Sequence, residues 1–266
     1  MITILQEIIL LTGTILGAIT DAKTGYIYDW ITTPMIILGI ILSFVLQQWN
    51  NLIFGVIIFV SLYFIYKLGK IGGGDVKLYT SIALLNPTNN LYFIFSAIIV
   101  ACAGAIIFYS TYYTIKYARK GINFNENKKG IQKGIIFGVL LIVYFAILVQ
   151  LNLIPLFTTI PLVITSVFGL VFIALQEGLK KNFFEKKIKL DQIEEDEIIA
   201  ERGNSKKVLD LLKGKVLVGE KEKKLLQANK IKEIVVLRGL PPFGPFIALG
   251  VIVAIVNPNL MMILFS

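Results

Sequence analysis

The amino-acid sequence predicts an all-α polytopic membrane protein with six to eight membrane segments, interrupted late in the chain by a small cytosolic α+β insertion. Three observations lead there. Hydrophobic residues make up 56% of the 266 positions and charged residues only 16%, with a mean hydropathy of +0.78, more apolar than a soluble domain. The apolar residues are grouped in runs that approach the roughly 20 residues a bilayer-spanning helix needs. Lysine and arginine crowd into some connections and are missing from others.

The runs cover 2–20, 31–46, 52–66, 91–115, 134–154, 159–176 and 243–265. The first has Glu7 as its only early charge and no basic residue before it, so it reads as a retained membrane helix rather than a cleaved secretory signal. A shorter run, 75–86, follows three glycines and is too short to span a bilayer alone. The connections QQWNN (47–51), PTNN (87–90) and PLFT (155–158) contain no Lys or Arg. All 26 basic residues lie elsewhere: Lys23; Lys67, Lys70 and Lys77; six in 116–133; and sixteen in 177–242. Basic loops face the cytoplasm, and the alternation is complete if 75–86 counts as a crossing. Both termini then lie outside, and Asp21 and Asp75 share the cytoplasmic boundary.

These patterns divide the chain into a membrane domain (1–176), a cytosolic insertion (177–238) and a last transmembrane helix (239–266). The insertion differs in kind, mixing sixteen basic with twelve acidic residues over 177–242. Its segments KVLVG (215–219) and EIVVL (233–237) read as strands. LDQIEEDEII (190–199) and SKKVLDLLK (205–213) read as helices. At roughly 65 residues it is near the lower limit for independent folding, so it is expected to lean on the membrane part or on its own paired strands.

The formal net charge of +9 is carried by loops in a membrane-topology pattern, which argues against nucleic acid as a partner and for the lipid bilayer. The chain has no histidine and a single cysteine, Cys102. It therefore lacks the commonest general base and has no cysteine zinc site, and no metal or cofactor is expected. Chemistry is left to carboxylates, hydroxyls, lysine or backbone. Of the seventeen acidic residues, three lie in or beside apolar segments: Glu7, Asp21 and Asp75. Desolvating an ionisable group there is costly, which makes each a functional candidate. Glu7 can reach interfacial water. Asp21 stands at the end of the first helix, where a carboxylate meets the negative end of the helix dipole and no structural need calls for it. Asp75 follows Gly72, Gly73 and Gly74 and opens a helix, where it also serves as a cap. Lys77 reads as a boundary charge. Two carboxylates on one face are what acid–base hydrolysis of a peptide requires. One takes a proton from water and the other, protonated, donates one. Glycines beside Asp75 would let a substrate backbone approach.

The residues GGGDVKL, together with an aspartate ending the first helix, resemble the GxGD aspartyl proteases of membranes, specifically type IV prepilin and archaeal preflagellin peptidases. Gly72, Gly74 and Asp75 match GxGD with Gly73 as the variable position, and Asp21 matches the family's other catalytic aspartate. GLPPFGPFIALG (239–250) is similar to the PFGPF-like entry to a late helix in prepilin peptidases. There Pro242, Phe243, Gly244 and Pro245 either simply start a helix or leave backbone groups free for an extended substrate. The resemblance implies a membrane aspartic endopeptidase. Its expected work is removal of the short basic leader, a class III signal peptide, from pilin-like or archaeal flagellin-like precursors on the cytoplasmic side of the cell membrane. With one cysteine, the chain looks like the archaeal, peptidase-only type. EEDE (194–197) is the acidic run in the insertion that would suit a basic leader. The alternative reading is an ion- or proton-coupled transporter, since intramembrane carboxylates and glycine-broken helices also mark ion pathways.

Overall fold

The apolar runs form helices, in a computed structural model that describes residues 2–151, 155–193, 197–200 and 202–265. The membrane part begins with α1 (Ile2–Thr24), α2 (Asp29–Val45), α3 (Trp49–Lys67), α4 (Gly73–Leu84), α5 (Leu91–Ala118), α6 (Phe124–Gln150) and α7 (Leu156–Leu179). Five helical stretches are long and apolar enough to cross a bilayer: Thr3–Thr24, Trp49–Lys67, Leu91–Ala118, Phe124–Gln150 and Thr158–Phe184. Asp29–Val45 is a shorter apolar helix. The large apolar side chains of α2, α3 and α6 that point away from the bundle, such as Ile41, Phe64, Ile135 and Ile142, suit a lipid surface. This is a multi-pass membrane protein.

The helix α4 is the hub. Its twelve residues rise only about 18 Å, well short of a hydrocarbon core of roughly 30 Å. Yet Val76 and every residue from Leu78 to Leu84 are buried. Leu78, Tyr79, Ile82 and Leu85 share one core with Leu10 of α1, Ile31 and Met35 of α2, Ile58 of α3 and Phe93 and Ile94 of α5. An apolar helix covered on all sides is a core element rather than a lipid-facing span, so the run 75–86 does not cross by its own length. Its C-terminal end stops inside the protein because other elements supply hydrogen bonds to it. Ser43 Oγ of α2 donates to the Leu84 carbonyl at 3.0 Å, and Asn51 Nδ2 of α3 donates to the Asn86 carbonyl at 2.7 Å. Gln6 of α1 reaches the same group through Gln48, at 2.7 Å.

The helices α6 and α7 form a hairpin at the side of this bundle. Gly130 and Gly134 let the two backbones close up, since a side chain at Gly130 would start 2.5 Å from the Ala174 carbonyl oxygen.

After α7 the chain enters the insertion: β1 (Glu185–Lys189), β2 (Glu197–Ile199), α8 (Lys206–Leu211), β3 (Leu217–Val218), α9 (Glu220–Ala228) and β4 (Glu233–Leu237). The strands make one antiparallel sheet in the order β1-β4-β2-β3. Ile188, Ile199, Val218, Ile234 and Val236 pack with Val208 and Leu212 from α8 and its end and with Leu226 of α9 in a core of their own. The strands expected at 215–219 and 233–237 and the helix expected at 205–213 are present. The helix expected over 190–199 is not: residues 190–192 make a single tight turn and 197–199 are strand β2. The three-residue spacing of Leu190 and Ile193 mimicked a helix, but Ile199 pairs with Val236 and its neighbour Ile198 with both Leu217 and Leu237. Cross-strand pairing outweighs local propensity here. Glu194, Glu195 and Asp196 of the acidic run lie outside the described residues.

The chain then returns to the bundle in α10 (Gly244–Val256) and α11 (Leu260–Phe265). The run 243–265 was expected as one membrane helix, but it is broken at Asn257-Pro258-Asn259. Pro258 has no N–H to continue the α10 ladder, and Ser96 Oγ of α5 donates to its carbonyl at 3.3 Å. The helix α10 packs against α1 and α5, with a side chain at Gly250 excluded by the Ala97 carbonyl oxygen 2.2 Å away.

Because β4 pairs on both edges, Ile234→Ala, at a position 1% exposed, is expected to destabilise the insertion by about 2–5 kcal/mol. Lys189→Ala on the exposed side of β1 should stay within about 0.5 kcal/mol. Thermal unfolding of both variants with limited proteolysis of the insertion checks this.

Candidate active site

Asp21 lies in the last turn of α1 and is 7% exposed. Its carboxylate Oδ2 accepts the Gly244 backbone N–H at 2.7 Å, across 223 residues of sequence. Gly244 is the first residue of α10, so the carboxyl group meets the positive end of a second helix. That offsets the negative end of its own. The approach is tight, since a side chain at Gly244 would start 3.0 Å from Asp21 Cβ and 3.2 Å from Ala18 Cα. The segment ahead of it is held from α5, where Tyr109 donates its hydroxyl to the Pro242 carbonyl at 2.5 Å. Two backbone groups expected to be free for a substrate, the Gly244 N–H and the Pro242 carbonyl, are therefore engaged. The Phe243 carbonyl is engaged as well, by Phe246 and Ile247 N–H at 3.0 and 3.1 Å.

Asp75 is the third residue of α4, and its Oδ2 accepts the Gly72 N–H at 3.2 Å, so it closes the start of the helix from within the first turn while Gly72, not Asp75, holds the N-cap position. The glycine triad is not uniform. A side chain at Gly74 would start 2.8 Å from Ile27 Cβ and 2.9 Å from the Ile27 carbonyl oxygen; one at Gly72 would start 3.0 Å from Asp75 Oδ2. At Gly73 the nearest atom is a Tyr66 ring carbon at 3.5 Å, an ordinary contact. The pattern Gly-x-Gly-Asp thus has a steric basis. The first glycine clears the carboxylate, the third lets α4 close on the connection that leaves Asp21, and the middle one is unconstrained.

The two aspartates come to one end of the bundle. A side chain at Gly17 would start 3.6 Å from both Leu78 Cδ2 and Ile27 Cγ2, so α1 and α4 meet one turn deeper than the carboxylates. Asp21 is four residues beyond Gly17 and Asp75 three residues before Leu78, about 6 and 4.5 Å of helical rise toward the same end. Each carboxylate has its own backbone donor, Gly244 for one and Gly72 for the other. Two carboxyl groups presented at one end of a bundle are the kind of groups that acid–base hydrolysis uses.

Other predicted residues separate from the pair. Lys77 turns to Asp29 at the start of α2, Nζ to Oδ1 2.6 Å, in an exposed ion pair. Glu7 is at the other end of α1, beside Gln6 and its amide contacts. Pro245 is within the first turn of α10. Among the described residues no group of three or more potential metal ligands forms.

The geometry adds Tyr79, one turn after Asp75 on the same face of α4. It is 2% exposed, its ring centroid is 6.2 Å from that of Phe243, and its hydroxyl has no hydrogen-bond partner among the described residues. The i, i+4 spacing from Asp75 was the available sequence signal. Tyr109 and Ile27 had none, because their roles depend on contacts with Pro242 and Gly74.

The fold and the site define a class: a multi-pass helical membrane protein that presents paired carboxylates at one end of its bundle. A family model described as the type IV leader peptidase family matches residues 8–109. Over that region the chain is similar to this family of peptidases. The matched region takes in α2, α3, α4, most of α1 and α5, Asp21, Asp75 and the glycine triad; the insertion and 239–250 lie beyond it. No curated protein and no solved structure matches the chain.

Two outcomes follow from these contacts. Gly74→Ala is expected to cut peptidase activity at least about tenfold by pushing α4 off Ile27, whereas Gly73→Ala should keep activity within about twofold; turnover of a leader-bearing precursor by the two purified variants decides it. Tyr79→Phe removes an unpartnered buried hydroxyl and should leave stability unchanged or slightly higher. Tyr79→Ala also removes the ring from Phe243 and should cost about 3–5 kcal/mol in unfolding measurements in detergent.

Proposed function

We propose that the protein is a membrane aspartyl endopeptidase in which Asp21 and Asp75 are the catalytic pair. Its substrates are pilin-like or archaeal flagellin-like precursors, from which it removes the short basic leader at the cytoplasmic face of the cell membrane. The observation that carries this reading is the convergence of Asp21 and Asp75 from α1 and α4 within the region matched by the leader peptidase family. The basic connections Lys23, Lys67–Lys77 and 116–133 favour the cytoplasm for that end of the bundle.

In this mechanism one carboxylate removes a proton from water as the water oxygen attacks the scissile carbonyl carbon. The other, protonated, donates to the carbonyl oxygen. The tetrahedral intermediate collapses as the departing amine takes a proton, and the C–N bond breaks. The pair supplies and recovers every proton, so no metal or cofactor takes part. Gly72, Gly73 and Gly74 form the loop that presents Asp75 to the substrate, Gly72 by clearing its carboxylate and Gly74 by seating α4 on Ile27. The Pro242–Pro245 segment contributes mainly by seating Gly244 on Asp21, with its unengaged groups left for substrate. Residues 1–176 would form the catalytic membrane domain, 177–238 the cytosolic insertion and 239–266 the return into the membrane.

Asp21→Asn and Asp75→Asn keep the side-chain volume and an acceptor for Gly244 or Gly72 but remove the titrating group. Each is expected to lower precursor cleavage by at least about a thousandfold, with the protein still folded in membranes. Full cleavage by either variant would refute the aspartyl mechanism. A panel of pilin-like and flagellin-like precursors, assayed with wild-type protein, identifies the substrate.

A further inference from the structure

The insertion touches both segments that carry the aspartates. On the Asp75 side, α3 ends in a hydrogen-bonded reversal: Gly69 N–H to the Tyr66 carbonyl at 2.7 Å and Lys70 N–H to the Ile65 carbonyl at 3.2 Å, with Gly69 at φ +66°. The bare Cα of Gly69 is where the insertion lands. A side chain there would start 2.7 Å from Val216 Cγ1 and 3.8 Å from Ile198 Cγ1. Three residues later comes Gly72, the hydrogen-bond donor to Asp75.

On the Asp21 side the link is the chain itself. The strand β4 ends at Leu237, which packs against the Tyr113, Tyr117, Leu179 and Phe184 cluster at the base of α5 and α7. Arg238 donates its backbone N–H to the Phe184 carbonyl at 2.9 Å and its guanidinium to the Gln192 carbonyl at 2.7 Å, and it pairs with Glu197 of β2. Four residues on, Pro242 accepts from Tyr109, and Gly244 donates to Asp21.

The helix α4 packs chiefly on α2 and α3, and α10 on α1 and α5. Asp75 and Asp21 thus stand on helices with different principal neighbours within one core, and the β2–β3–β4 sheet touches the segments that lead to both. We infer that the insertion is a positioning element for the active site, and that Val216, through its contact on Gly69, sets where Asp75 stands relative to Asp21. This inference rests on the reading of those two residues as the catalytic pair. Val216 touches no reacting atom. It acts through the α3–α4 turn, and only Gly at position 69 has both the backbone freedom and the space to receive it. A shift of about 1 Å between two groups that must act on one water lowers turnover without weakening substrate binding.

The test uses the full-length protein in proteoliposomes with a leader-bearing precursor. Val216 is only half-buried, so Val216→Ala should fold normally, and Val216→Asp strengthens the perturbation. The expected result is a fall in kcat of roughly threefold for Val216→Ala and tenfold or more for Val216→Asp, with KM within about twofold. Cysteines placed at Lys70 and Lys215, which flank the contact, in a Cys102→Ser, Val216→Ala chain should join through a short bismaleimide and recover kcat relative to the same chain uncoupled. An unchanged kcat in Val216→Asp, a loss confined to KM, failure of the cross-link to form, or a cross-link that restores nothing would each overturn the inference. In the same assay wild-type protein must cleave and Asp21→Asn must not. Failure of those controls removes the peptidase mechanism, whereas failure at Val216 alone removes only the positioning role.

Discussion

The hydrogen bond from the Gly244 N–H to the buried carboxylate of Asp21 is the constraint on which the rest of the site depends. A carboxyl group near the C-terminal end of an apolar helix is unfavourable by itself, because the local carbonyls oppose it and lipid cannot solvate it. Docking the N-terminus of α10 against it answers both problems at once. That docking requires a residue without a side chain at 244 and a fixed approach of the preceding segment, which Tyr109 supplies by holding Pro242. The late helix therefore completes a site begun in the first helix.

The second requirement is a helix too short to span the membrane. The helix α4 can carry Asp75 at its N-terminus and still be buried on all sides because Ser43, Asn51 and Asn86 satisfy the chain at and beyond its other end. With its exposed backbone groups answered by neighbours, a twelve-residue helix is stable at membrane depth. Its N-terminal end is set by Gly74 against Ile27, so the level of Asp75 is tied to the connection that follows Asp21. The two carboxylates are placed by contacts between backbones, which deform little, rather than by contact with each other.

The insertion extends the same logic outside the bundle. It has its own core of Ile188, Ile234, Val236 and Leu226, yet its two ends are rooted in α7 and α10, and its β2–β3 corner rests on the turn before Gly72. Its contacts reach the helix ends on both sides of the bundle that carry the aspartates.

The sequence by itself determined the helical membrane architecture, the two aspartates and the glycine pattern, because these follow from composition, hydrophobic run length and residue type at short range. Strand β4 was legible in EIVVL for the same reason. The stretch 190–199 was not, since its apolar spacing fits a helix and only pairing with β4 and β3 makes part of it a strand. The run 243–265 looked continuous because hydropathy does not register the break at Asn257-Pro258-Asn259. Only the tertiary structure decided that Asp21 is answered by Gly244, that Gly73 is the one free member of its triad and that α4 is buried. It also decided that Val216 meets Gly69. These depend on how segments far apart in sequence pack together, and local pattern carries no information about which distant segment that will be.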